Sequence, residues 1–122
     1  MKDNDSLGIL TPQGNKIILQ DNDGKLSITV NQEIYLGVKD SCSIVFDTDK
    51  VKISKGSDTS ITLTDKGVTV KKGKFGLKKT LRDLLKAIQK LTVTTNVGPS
   101  GVPINSAEFL AIQQELDNYL ED

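Results

Sequence analysis

A step of 17 residues governs the middle of the chain. Between Ser43 and Val70 the sequence reads SIVFDTDKVKISKGSDTSITLTDKGVTV. Ile44 and Phe46 precede the polar run Asp47-Thr48-Asp49, and Val51 and Ile53 follow it. One step later, Ile61 and Leu63 precede Asp65-Lys66-Gly67, and Val68 and Val70 follow. Apolar residues at every second position, bounded by turn formers, mark strands with one apolar face. Recurrence at a fixed step marks a structural repeat. Aspartate suits the turns because its carboxylate accepts local backbone hydrogen bonds, and glycine because it tolerates positive φ. The expected product is a rigid, repetitive β structure. An ordinary antiparallel meander with matching spacing is the alternative.

The repeat reaches upstream in part. Ile34 and Leu36 lie one step before Val51 and Ile53, and Ile17 and Leu19 one step before those. The strand between them slips: Leu26, Ile28 and Val30 stand one place out of register with Ile44 and Phe46. A slip of one residue turns a side chain to the other face unless a bulge or altered turn absorbs it.

Only 36% of the 122 residues are hydrophobic and tryptophan is absent, so a single-chain core built from small β-branched residues would be thin. Pooling the apolar strip of several copies gains burial that one small unit lacks. The formal charge sums to zero but is unevenly placed. Residues 1–49 carry four lysines against eight acids, residues 50–90 carry twelve basic residues against three aspartates, and residues 91–122 carry five acids and no base. The basic middle has Phe75 as its one aromatic, so nucleic-acid binding by base stacking is not expected. Lys71, Lys72, Lys74, Lys78, Lys79 and Arg82 are instead expected to meet an acidic protein surface, with the acidic C-terminal helix one candidate. No run is long enough to insert stably across a membrane, and the opening residues do not read as a secretory leader.

After Val70 the run Lys71-Lys72-Gly73-Lys74-Phe75-Gly76 breaks the alternation, and the period changes. Leu77, Leu81, Leu84, Leu85, Ile88 and Leu91 form the stripe of an amphipathic helix. The stretch from Asn96 to Pro103 is too rich in helix and strand breakers for either element. Asn105 with Glu108 has capping-box spacing, and Ile104 with Phe109 has the spacing of a hydrophobic staple. Phe109, Ile112, Leu116, Tyr119 and Leu120 then form a second helical stripe. An antiparallel helical hairpin over residues 77–122 follows, with Leu77, Leu81, Leu84, Leu85, Ile88, Phe109, Ile112, Leu116 and Leu120 as its packing and docking residues. The organisation expected is a leading segment over 1–14, a repetitive β region over 15–72 and the hairpin over 77–122.

Candidate chemistry is sparse. The chain has no histidine and one cysteine, Cys42, which removes histidine-based acid–base, triad and metal schemes and any internal disulfide. Asp21, Asp23, Asp47 and Asp49 sit at turn tips and read as turn formers. No catalytic residue, metal ligand or cofactor is expected, and the chain does not read as an enzyme.

The residues do resemble a known family. Asn15 to Ile28 (NKIILQDNDGKLSI) resembles the segment leading into the β-helix of contractile-tail phage baseplate spikes and type VI secretion spikes. Ser60 to Val70 (SITLTDKGVTV) looks like one repeat of that β-helix. Leu91 to Asn105 (LTVTTNVGPSGVPIN) resembles the helical C-terminal region of some phage baseplate proteins. The resemblance implies a mainly β fold, with short strands forming an intertwined trimeric β-helix or β-prism ahead of the helical hairpin. It implies a structural part of a phage baseplate or related injection apparatus, in the virion tail, spike-like or connecting, that docks to other baseplate or tail proteins. A histidine-held metal tip, which some members carry, has no counterpart here. In a homotrimer Ile17, Leu19, Ile34, Leu36, Ile44, Phe46, Val51, Ile53, Ile61, Leu63, Val68 and Val70 would face the shared core. Two alternatives stay open: a receptor- or glycan-binding fibre tip, and a monomer whose sheet packs across its own helices.

Overall fold

The computed structural model describes residues 6–122, so Met1 to Asp5 of the expected leading segment lie outside the described residues. The chain divides into two compact units between Ile34 and Tyr35. The first holds three strands, β1 (Ser6–Leu10), β2 (Lys16–Gln20) and β3 (Lys25–Thr29), in an antiparallel sheet of that order. Their turns follow from composition. Gly14 and Gly24 adopt φ of 88° and 59°, the left-handed region that glycine enters without a Cβ penalty. The Asn31 amide N–H donates to Asn15 Oδ1, and Asn31 Nδ2 donates to the Gln13 carbonyl, so the end of β3 is tied to the β1–β2 turn.

Six strands make the sheet of the second unit: β4 (Glu33–Val38), β5 (Cys42–Asp47), β6 (Lys50–Lys55), β7 (Thr59–Thr64), β8 (Gly67–Lys72) and β9 (Phe75–Gly76). Each lies beside its neighbour in sequence, and β4 runs across the division between the units. The strands do not close into a barrel. The 17-residue step spans two strands and two turns, so it returns to the same face and the same type of turn. At one end of the sheet Gly56 N–H donates to Ser41 O (2.7 Å) and Gly73 N–H to Asp58 O (2.8 Å). There Lys55 Nζ donates to Ser41 Oγ, and one step on Lys72 Nζ stands 3.9 Å from Asp58 Oδ1. At the other end Asp47 Oδ1 accepts from the N–H groups of Asp49 and Lys50, and one step on Thr64 Oγ1 accepts from Lys66 N–H.

Two helices follow, α1 (Leu77–Gln89) and α2 (Ser106–Tyr119), with short paired strands β10 (Thr94–Thr95) and β11 (Gly98–Pro99) between them. β11 falls where breakers argued against any element. One backbone and two side-chain bonds hold the pairing: Ser100 N–H donates to Val93 O, Val93 N–H donates to Ser100 Oγ, and Thr95 Oγ1 donates to Gly98 O. The expected start of α2 is altered. Asn105 is the N-cap residue, but with φ −98° and ψ 24° it is outside the extended geometry a side-chain cap requires, and it makes no such bond. Backbone bonds from Ser106 to Pro103 and from Glu108 to Asn105 tighten the turn instead. Ile104 is fully exposed, so the staple with Phe109 does not form.

The end of α2 seals one sheet edge. Leu120 pairs with Val68 in a parallel bridge, Glu121 N–H donates to Val68 O (2.9 Å), and Thr64 Oγ1 donates to Glu121 Oε2 (2.7 Å). A Cβ on Gly67 would stand 2.5 Å from the Tyr119 carbonyl oxygen, so only glycine admits this approach. β9 covers the rest of the β8 edge through Lys71–Gly76 and Lys72–Phe75. Unpaired strand edges invite foreign pairing, and this one is closed from within the chain.

Candidate assembly surface

Directly opposed residues of antiparallel strands share a face. In the six-stranded sheet this aligns Ile44, Ile53, Ile61 and Val70 in one row across β5 to β8. Phe46, Val51, Leu63 and Val68 form a second row on the same face. All eight belong to the set expected to face a shared core. The opposite face carries Ser43, Ser54, Ser60 and Lys71 in one row, and Val45, Lys52, Thr62 and Thr69 in another. One face is therefore continuously apolar and the other mostly polar.

The first unit repeats the arrangement. Leu7, Leu19 and Leu26 form one row, and Ile9, Ile17 and Ile28 a second on the same face. Ile17 and Leu19 were expected there, but Leu7, Ile9, Leu26 and Ile28 were not. The apparent slip of Leu26 and Ile28 is absorbed by the four-residue turn Asp21–Gly24, where the equivalent β6–β7 turn two steps on uses the three residues Gly56, Ser57 and Asp58. The signal was symmetry about the turn: Leu19 and Leu26, like Ile17 and Ile28, stand equally far from its centre. In β4, Ile34 is half-buried and Leu36 exposed.

Half of the two rows in the larger sheet stays exposed: Phe46 is 41% exposed, Ile53 45%, Ile61 42% and Leu63 44%, whereas Ile44, Val51, Val68 and Val70 are half-buried. Leu116 and Leu120 are the buried apolar side chains among the described residues. A face of large aliphatic side chains left in water marks an interaction surface.

The helices pack with a narrower seam than the stripes implied. On α1 the inward positions are Lys78, Leu81, Arg82, Leu85, Ile88 and Gln89, whereas Leu77 and Leu84 are exposed. On α2 they are Ser106, Phe109, Gln113 and Leu116, with Leu120 just past its end, and Ile112 is 44% exposed. Gln89 Nε2 and Gln113 Oε1 stand 3.5 Å apart between the helices. Of the basic side chains expected to meet the acidic helix, Lys78 and Arg82 reach Asp117, at 3.5 and 3.7 Å. Lys79 pairs with Asp83 on its own helix.

Charge chemistry is local. The Asp47 carboxyl is held below its ordinary value of 3.8, first by the N–H groups of Asp49 and Lys50 and then by the Lys50 side chain. Asp83 is lowered too, chiefly by its hydrogen bond from Lys79. Among the described residues no three His, Cys, Asp or Glu side chains cluster as a metal site would need. No helix of the described residues is long and apolar enough to cross a membrane.

An apolar β face that stays largely exposed defines a surface for association. The family model of the phage baseplate V C-terminal trimerisation domain matches residues 6–76, from β1 through β9, and the chain belongs to that family. No curated protein and no solved structure matches it. Membership gives the chain a structural role in the phage baseplate, within the spike family that the repeat resembles. α1 and α2 lie beyond the matched residues.

Proposed function

We propose that three copies of this chain pool their apolar rows about a common axis, as a spike-like or connecting segment of the baseplate. The exposed side chains of those rows are the observation that carries this reading. The shared core would hold Ile17, Leu19, Ile34, Leu36, Ile44, Phe46, Val51, Ile53, Ile61, Leu63, Val68 and Val70, joined by Leu7, Ile9, Leu26 and Ile28. The strands would wind into an intertwined β-helix or β-prism, and the helices would form an antiparallel hairpin that docks to neighbouring baseplate proteins. A monomer whose sheet packs across its own helices would cover Phe46, Ile53, Ile61 and Leu63, so their exposure favours association.

Phe46 carries the largest side chain of the two rows, which makes it the sensitive position. Light scattering after gel filtration is expected to give three times the 13.3 kDa chain mass. Phe46→Asp, which would place an unpaired carboxylate in the pooled core, is expected to abolish that species. A single-chain mass for the unaltered protein at every concentration would sink the proposal.

A further inference from the structure

The basic charge of residues 71–86 is only partly neutralised within the chain. Lys78 and Arg82 meet Asp117, but Lys71, Lys74, Lys79, Arg82 and Lys86 line one cleft of about 400 Å³ beside the start of α1. Two carboxylates, Asp83 and Asp122, stand against these five cations. Asp83 is already engaged by Lys79. The start of α1 adds to the excess: Gly76 lines the cleft, offers no side-chain cap, and the first turn holds no acidic residue. Its N–H groups therefore present the positive end of the helix dipole without compensation. Arg82 has donor capacity left. Its Nη1 contact with Asp117, at 3.7 Å, is longer than a hydrogen bond, and its buried Nε finds no acceptor among the described residues.

We propose that this cleft is a docking socket for a carboxylate-bearing segment, rich in Asp or Glu, of a neighbouring protein in the assembly. Asp122 shows the chemistry in miniature, since a short acidic side chain of the chain itself already lines the cleft. The size fits a few side chains, at the small end of ligand pockets, and not a nucleic-acid duplex. No aromatic side chain among the described residues lines it to stack a base, and Asp83 and Asp122 would repel a continuous phosphate backbone. Arginine and a helix N-terminus both favour a planar carboxylate that accepts several N–H bonds at once. The site is separate from the apolar rows, so it holds or fails independently of the trimer.

The full chain is titrated against a fluorescently labelled hexaglutamate peptide at low ionic strength, followed by anisotropy. Hexaglutamine and a hexathymidine single strand serve as comparators. Hexaglutamate is expected to bind and hexaglutamine not to, with the oligonucleotide weaker than hexaglutamate. Lys71→Gln combined with Lys74→Gln is expected to weaken hexaglutamate binding about tenfold or more. Lys50→Gln combined with Lys66→Gln, at the far end of the sheet, serves as the control and is expected to leave it unchanged. Each variant is first shown to keep the mass and circular dichroism of the unaltered chain. Absence of hexaglutamate binding, an equal loss in the Lys50/Lys66 control, or oligonucleotide binding as tight as hexaglutamate would each overturn the proposal.

Discussion

Lys39 stands where glycine stands one and two repeats later. Its φ is 31°, and those of Gly56 and Gly73 are 65° and 57°. A left-handed backbone costs a residue with a Cβ about 1–2 kcal/mol, and glycine loses about 0.5–1 kcal/mol through its freedom in the unfolded chain. Lys39→Gly should therefore raise stability by up to about 1.5 kcal/mol. Gly73→Lys should lower it by a similar amount, up to about 1.5 kcal/mol, although a Cβ there has space. Urea unfolding of the two variants checks the opposite signs, and a loss in both would contradict them. Asp47 offers a test in pH. Its folded pKa is lowered, so its contribution is complete above the ordinary value of 3.8 and is lost as pH falls through the lower, folded value. Asp47→Asn should flatten the acid limb of the stability profile below about pH 4 and leave the slope above about pH 5 unchanged. An acid limb that keeps its shape in the variant would mean the turn does not hold the charged form. Asp47 was legible as a turn former from its neighbours; the match with Thr64, one step later, needed the structure, because a hydroxyl fills the place of a carboxylate.

Strands were easier to read than helices. Alternation fixes both the face and the partner of a strand residue, so Ile44, Phe46, Val51, Ile53, Ile61, Leu63, Val68 and Val70 could be placed on one face without coordinates. α1 carries more apolar residues than one contact face can take, so periodicity alone could not show that Leu77 and Leu84 stay exposed while Lys78 lies inward. On α2 the polar Gln113 takes an inner place, beside Gln89 of α1, and Ile112 an outer one. Nor did any pattern announce the Val68–Leu120 bridge, which joins residues far apart in sequence. The difference between inner and outer positions is measurable. Leu116, 7% exposed, should cost about 2–3 kcal/mol as Leu116→Ala. Ile112→Ala should cost no more than about 0.5 kcal/mol. Chemical denaturation at one fixed protein concentration decides it, and a larger loss at Ile112 would reverse the assignment of faces.

For the whole molecule, stability and assembly should be inseparable. When copies supply most of the burial, mass action shifts the unfolding equilibrium with concentration. The midpoint of thermal unfolding should fall on tenfold dilution in the micromolar range, and the same midpoint at every dilution would mean that each chain folds alone. The sequence disclosed the apolar strip and the family, but not how bare the strip is, because exposure depends on where the helices settle. The turn chemistry carries a further consequence. Adjacent strands lie about 4.8 Å apart along the hydrogen-bonding direction. Each 17-residue step adds two strands, and so lengthens the sheet by about 10 Å while keeping its apolar face and both kinds of turn. Whole steps can be gained or lost without rewriting a single contact pattern, so height becomes a quantity counted in repeats, and the chain is its own ruler.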